Sequence, residues 1–215
     1  MSGSAQRSDG SRDEPVSGEI PRLPERLIGE VLGERYRVDA LLGEGGIGRV
    51  YRATHLKLDR PVAVKVLLEE HRELALQRQR FEREVRTLAR LRHPNIVTVV
   101  DFGVAEGLPY LVMELVEGED LDALLEGGGP FAPERAFEVL RQVLKSLAYA
   151  HEKGIVHRDL KPSNVLLTSL PDGSEHVEVL DFGLAKFIDP VEEAASPKLT
   201  RAGCIVGSPA YMAPE

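Results

Sequence analysis

Two polar segments in the second half of the chain constrain it more than anything else in the sequence. His157-Arg158-Asp159-Leu160-Lys161-Pro162-Ser163-Asn164 comes first, and Asp181-Phe182-Gly183 follows. Between them lie two apolar runs, Val165-Leu166-Leu167 and Val177-Glu178-Val179-Leu180, separated by Pro171-Asp172-Gly173. Breaker residues between two strand-like runs predict a β-hairpin, and both polar segments sit on it. Their chemistry is specific. The Asp159 carboxylate can orient a hydroxyl and accept its proton. The Asn164 amide oxygen and the Asp181 carboxylate suit a hard cation. Lys161 is a compact point charge. Either tripeptide alone would read as ordinary loop; the pair at this separation does not.

The N-terminal half carries a glycine run, Gly43-Glu44-Gly45-Gly46-Ile47-Gly48. A GxGxxG run can open a helix at a dinucleotide site, or it can form a glycine-rich hairpin. Here the flanks read as strands on both sides, Tyr36 to Leu42 and Val50 to Thr54. The hairpin reading is therefore preferred, with glycines that let backbone amides approach phosphate oxygens. No Gly-Lys-Ser/Thr closes the run, so it is not a P-loop. Val62-Ala63-Val64-Lys65-Val66-Leu67 reads as an apolar strand with one lysine inside it. A lysine there is costly unless paired, or it is a solvated residue on an edge strand. A helix is expected from about His71 to Leu91, with Phe81, Val85 and Leu88 on one face. Glu82 and Glu84 are its competing acids, and either could equally be solvated or an i,i+4 partner.

Taken together these motifs resemble the protein kinases, and most closely the eukaryotic-like serine/threonine protein kinases of bacteria. The resemblance runs from about Tyr36 to Glu215. It implies an α+β, bilobal protein-kinase fold, with a complete N-lobe (antiparallel sheet plus one helix) over 36–116 and an incomplete, mostly-α C-lobe over 117–215. It implies ATP-dependent transfer of a phosphoryl group to serine or threonine of protein substrates, with ATP and Mg2+ between the lobes. Asp159 would be the base and Lys161 would meet the transferring phosphate. Lys65 would hold the α/β-phosphates and pair with Glu84, chosen over Glu82 by motif match. Asn164 and Asp181 would hold the metal. Leu42, Gly43, Glu44, Gly45, Gly46, Ile47, Gly48 and Val50 would cover the nucleotide from the hairpin. Ala63, Met113 and Leu166 would flank the adenine. Glu114 and Val116 would offer it backbone groups from the hinge. Asp120 stands where an acid meets the ribose, though it could equally cap the helix that follows. In the segment after Asp181, Thr200 is placed for autophosphorylation, with Arg158 as the cation that receives the phosphate. A kinase–kinase dimer could carry out that step. Ser208 would lie beside Asp159 and Lys161, while Ser196 precedes a proline and could serve another kinase.

Composition sharpens the limits. The 215 residues carry a formal net charge of −8, which argues against an extended nucleic-acid surface. One cysteine, Cys204, excludes an internal disulfide framework and fits a reducing cytoplasmic setting. It reads as a small filler residue rather than a redox site. No apolar run is long enough to span a membrane, and no secretory signal is visible. The first residues, poor in anything to bury, read as a disordered leader assigned to 1–30. Helical spacing returns from Pro133 to Lys153, with Ala136, Leu140, Val143, Leu147 and His151 in phase and Gly154 at the end. The motif Ala213-Pro214-Glu215 closes the sequence. By resemblance several helices would follow it, so the chain reads as a fragment. The Pro133–Lys153 helix would then expose a large apolar patch, and the alternative function is a non-catalytic nucleotide-binding or partner-binding remnant.

Overall fold

The structure is a computed structural model that describes residues 27–45, 48–67, 78–105, 107–182 and 208–211, with the backbone alone at 78–81, 84 and 209. The expectations that fall on 1–26, Gly46, Ile47, 71–77, Ser196, Thr200, Cys204 and 213–215 lie outside these residues, as do those on the side chains of Phe81 and Glu84.

Six strands form one antiparallel sheet: β1 (Val31–Leu32), β2 (Tyr36–Glu44), β3 (Gly48–His55), β4 (Arg60–Leu67), β5 (Val99–Ala105) and β6 (Leu108–Glu114), in the order β1-β2-β3-β4-β6-β5. β4 is central and almost wholly buried, which explains its near-continuous apolar sequence. Strand side chains alternate between faces. Val62, Val64 and Val66 therefore point into the outer apolar cluster with Tyr36, Tyr51 and Tyr110. Ala63 and Lys65 point the other way. Directly opposite residues share a face, so Val50 of β3 and Leu111 and Met113 of β6 join Lys65 and Ala63 there. The helix α1 (Arg78–Leu88) follows β4 in the chain, and its buried Val85 and Leu88 pack with Leu67 and Leu111. It ends earlier than the Leu91 expected from sequence. The next residues wind through turns, with the Leu91 N–H on Leu88 O at 2.9 Å, toward Pro94, before which helical backbone is disfavoured.

The folded unit also begins earlier than expected. Leu27 and Leu32 are buried over the outer face of the sheet beside Val66, Leu108 and Tyr110. Of residues 27–30, read as the end of the leader, Leu27 belongs to the core, while Gly29 and Glu30 exchange backbone hydrogen bonds with Val38 at 2.8 and 2.9 Å.

After β6 the chain enters a second, three-stranded antiparallel sheet of β7 (Glu119–Asp120), β8 (Val165–Ser169) and β9 (Glu175–Val179), in that order. Two helices accompany it, α2 (Leu121–Gly128) and α3 (Pro133–Glu152). Asp120 caps α2, accepting the Ala123 N–H at 2.9 Å. Pro133 starts α3, and Gly154 ends it at φ 73°, a left-handed conformation that glycine adopts without strain. The apolar patch expected on α3 is exposed, although Val143 of the in-phase set is buried. Val139, Gln142, Val143, Ser146 and Ala150 are buried against β9 and its surroundings. Leu140 is 57% exposed, together with Phe137 at 71% and Leu144 at 61%. The more apolar side of the helix faces outward, because the strand it packs on lies on the other. Among the described residues no helix is long and apolar enough to cross a membrane.

Candidate active site

The site lies where the two sheets meet. Lys65 is only 6% exposed, and its Nζ lies 2.5 Å from Asp181 Oδ2. A buried ammonium needs such a partner, since an unpaired one would lose its hydration without return. The ion pair joins β4 of the first sheet to the residue that leaves β9. The proposed pairing of Lys65 with Glu84 falls on a side chain outside the described residues. Asp181 itself holds φ 59°, and Arg158 holds φ 68°. Non-glycine residues keep such backbone only where the surroundings over-determine it, and such residues cluster at functional sites.

Around Asp159 four side chains converge. Lys161 Nζ is 3.2 Å from Asp159 Oδ2. Ser208 Oγ donates to Asp159 Oδ1 at 3.0 Å. Asn164 Nδ2 donates to the Asp159 backbone carbonyl at 2.7 Å, which turns its amide oxygen away from that carbonyl. His157 is buried under the loop. Its Nε2–H bonds the Leu180 carbonyl at 2.8 Å, and its Nδ1 accepts the Asp159 N–H at 3.3 Å. That pairing defines the tautomer. Its ring also packs against Phe182, with centroids 4.7 Å apart. Burial holds the imidazole below the ordinary histidine range, against the opposing pull of the Leu180 carbonyl and of the Asp181 and Asp159 charges. A 3₁₀ turn at Pro162–Asn164 feeds Asn164 into β8, and the Leu180 N–H bonds the Asn164 carbonyl at 2.9 Å. The two polar segments are thus locked side by side.

The glycine hairpin arches from β2 to β3, with Gly43 opposite Val50 and Glu44 opposite Arg49. Arg49 Nη2 bonds Glu44 Oε1 at 2.8 Å across it. Leu42, Gly43, Glu44 and Gly45 are exposed along this arch. Below it Ala63 and Met113 are buried in a small apolar cluster with Val50 and Val116. The Glu114 N–H is taken by the Thr98 carbonyl at 3.0 Å. Leu166 sits opposite Asp120 in the second sheet, half-buried. Sequence reading missed Val97, Leu115 and Leu180, which belong to the same apolar cluster. Each was read only as part of a strand or a family-like phrase, and only the folding of three separate segments onto one face brings them together.

A divalent cation fits this donor set. Magnesium is held by one or two protein oxygens and completes its shell with water and phosphate. Asn164 and Asp181 offer such oxygens from the two ends of the β8–β9 hairpin. A cluster of three acids, of which there is none among the described residues, is not required.

The comparisons agree with this geometry. The protein kinase domain family matches residues 36–215, and the chain belongs to that family. Its fold is the bilobal kinase fold, with the sheet and α1 as one lobe and part of the helical lobe below. The chain is 43% identical to the serine/threonine-protein kinase pkn3 of Myxococcus xanthus, over 89% of this chain and 35% of that protein. It is 42% identical to the serine/threonine-protein kinase PknA of Mycobacterium tuberculosis, over 87% of this chain and 42% of that protein. Among solved structures it is similar to the kinase domain of M. tuberculosis PknI, with a TM-score of 0.64 at 33% identity, covering 73% of this chain and 61% of that one. It is also similar to Rad53 1–466 in complex with AMP-PNP, with a TM-score of 0.61 at 32% identity, over 70% of this chain and 38% of that one. The chain therefore spans less than half the length of these curated relatives and under two thirds of the PknI kinase-domain structure.

Proposed function

We propose that the chain carries the chemistry of an ATP-dependent serine/threonine protein kinase. The observation that carries this is the Asp159 cluster. The Ser208 hydroxyl donates to Asp159 Oδ1 at 3.0 Å, beside the Lys161 ammonium, which supports Asp159 as the group that takes a hydroxyl proton. In the reaction the acceptor oxygen bonds to the γ-phosphorus, the bond from phosphorus to the ADP oxygen breaks, and the hydroxyl proton passes to Asp159. Lys161 offsets the charge on the transferring group. Lys65 holds the α/β-phosphates, and the glycine hairpin covers them with backbone N–H groups. Asn164 and Asp181 would hold Mg2+, which neutralises phosphate charge when bound. Ala63, Met113, Val116 and Leu166 flank the adenine, with the Glu114 carbonyl and Val116 amide on its edge and Asp120 toward the ribose. The AMP-PNP complex of Rad53 supports a nucleotide in this cleft.

Protein serine and threonine residues are the acceptors in this reading, in the cytoplasm. The kinase unit in this reading takes in the strand β1 and Leu27 ahead of the family match at 36–215, with the hinge after β6 closing the N-lobe near residue 116. Glu84 is the α1 partner of Lys65. Autophosphorylation at Thr200 between two copies would place a phosphate against Arg158 and align Asp159. The exposed row Phe137, Leu140 and Leu144 favours a second reading, in which this chain alone binds nucleotide or a partner without turnover.

Titration of a fluorescent ATP analogue, with and without Mg2+, tests the first reading. Lys65→Ala and Asp181→Ala are expected to weaken binding by tenfold or more, on the order of the loss of a charged phosphate or metal contact. Equal binding by wild type and both variants would overturn it. Phosphoamino-acid analysis after incubation with labelled ATP separates the two readings. Phosphoserine or phosphothreonine indicates turnover, and bound nucleotide without product indicates the remnant.

A further inference from the structure

We infer that Asn95 and Gln142 are positioning residues for Asp181: their side-chain amides stand in for a missing strand along the free edge of β9 and fix the register in which that strand delivers Asp181 to the cleft. The inference rests on the kinase reading for the role of Asp181 and on geometry for the rest.

β9 is the last strand of its sheet, and on its open side it meets no further strand, only a single parallel bridge from Ile96 to Val179. In an antiparallel pair, alternate residues turn both backbone groups outward. In β9 these are Glu175, Val177 and Val179. An open row of that kind must be covered or it frays. Here it is covered group by group. Gln142 Nε2 donates to the Glu175 carbonyl at 3.0 Å. Gln142 Oε1 accepts the Val177 N–H at 3.0 Å. Asn95 Nδ2 donates to the Val177 carbonyl at 2.7 Å. The Val179 N–H donates to the Asn95 carbonyl at 3.1 Å, and the Val97 N–H donates to the Val179 carbonyl at 3.1 Å. The two amides also bond each other, Asn95 Nδ2 to Gln142 Oε1 at 3.0 Å.

Both amides are buried, Asn95 at 6% exposure and Gln142 at 8%. Neither touches the cleft residues directly, and a buried amide would be costly without its full set of partners. They come from different elements. Asn95 lies in the connection between α1 and β5, and Gln142 on α3. The clamp therefore ties the N-lobe connection that follows α1 to the C-lobe strand that carries the metal ligand. Only Leu180 separates Val179 from Asp181. Asp181 sits at φ 59°, a backbone state that persists only when its flanks are held. On the β8 side the flank is held by the Asn164–Leu180 bond. On the open side it is held by this clamp. A β9 that slipped or frayed would move Asp181 away from both Lys65 and Asn164.

The test uses the whole chain and the variants Asn95→Ala, Asn95→Asp and Gln142→Ala. Its first arm is amide hydrogen exchange without nucleotide. Exchange is expected to rise over residues 175–182 and to stay unchanged in β2, β3 and α2. A rise spread evenly over the chain would reduce the pair to general packing and overturn the inference, as would no rise at all. The second arm measures how far Mg2+ tightens binding of a fluorescent ATP analogue. Each variant is expected to lose that tightening by on the order of tenfold, as outer partners of metal ligands do, while Mg2+-free affinity holds. Retained tightening would overturn the inference. Asn95→Asp is nearly isosteric but turns a donor into an acceptor facing the Val177 carbonyl, so it is expected to do more harm than Asn95→Ala. A packing role predicts the reverse order. If the wild type binds no nucleotide, the kinase reading fails and the role at Asp181 falls with it, while the exchange arm still decides whether the clamp exists.

Discussion

Two hairpins frame the cleft, and they are built in opposite ways. The β2–β3 hairpin has register shifts between Val38 and Ala40 and between Leu41 and Gly43. The outer half of β2 is exposed, Leu41 and Leu42 included. The β8–β9 hairpin pairs without a shift from Val165 opposite Val179 to Ser169 opposite Glu175. Its flanks are bonded on both sides. The difference follows from what each presents. In the proposed function the first would offer backbone N–H groups to phosphates, which needs glycine, an open arch and little side-chain support. The second would deliver side chains, Asn164 and Asp181, whose positions must be held to a fraction of an ångström. Backbone recognition tolerates a loose frame, and side-chain chemistry does not.

The sharpest way to break this comparison is at the rigid end. Asp159→Asn keeps the shape of the side chain but leaves one acceptor oxygen for the two donors Ser208 and Lys161, and it removes the charge and the proposed proton acceptor. In a chain that turns over, phosphoryl transfer is expected to fall by about two or more orders of magnitude, with nucleotide affinity nearly unchanged. Single-turnover rates and a binding titration check this together.

The arch is not uniformly loose. A Cβ on Gly48 would lie 2.4 Å from the Val66 carbonyl oxygen, and 3.1 Å and 3.2 Å from further backbone atoms of Val66 and Leu67. Gly48→Ala must therefore push two strands apart and is expected to cost about 1–3 kcal/mol of stability. Gly43 has nothing within 4 Å of the same position. Gly43→Ala is expected to shift stability by less than about 0.5 kcal/mol. Denaturant midpoints of the two variants measure the contrast, and equal effects would show that the whole arch is equally tolerant.

A smaller effect, of order one kcal/mol or less per group at mild acidity, belongs to His157. Its folded-state pKa is lowered, mainly by burial, so the unfolded chain takes up the proton first. Its contribution is full above the ordinary histidine range and is lost as pH falls through that range toward the lower folded value. His93 shifts in the same direction, through burial and the nearby Lys145 charge. Unfolding midpoints are expected to decline from about pH 7 to pH 5. His157→Gln should reduce that slope without abolishing it. An unchanged slope would remove His157 from the account.

Much of this was legible in the residues. The strand–glycine–strand pattern predicts the β2–β3 hairpin, and Pro171-Asp172-Gly173 predicts the β8–β9 turn, where Gly173 takes φ 82°. Asp120 ahead of an apolar run signals the cap on α2, and Pro133 with Gly154 brackets α3. Each signal is local: a turn needs a residue that tolerates its φ, and a helix end needs an acceptor for its open N–H groups. The residues proposed for catalysis and metal binding stood out for another reason, since they lie in short motifs that resemble those of a known family.

What the sequence by itself determined was the two hairpins, the strand of Lys65, the helix α3 and the residues able to act, though not β1 or the end of α1. Only the tertiary structure decided which face of α3 is buried, because both faces carry apolar residues and the choice depends on where β9 lies. It decided that Lys65 meets Asp181, a pairing between residues 116 positions apart. It also decided that Asn95 and Gln142, from separate segments of the chain, close the edge of β9. These outcomes depend on contacts between distant segments, and periodicity and turn chemistry report only on neighbours along the chain.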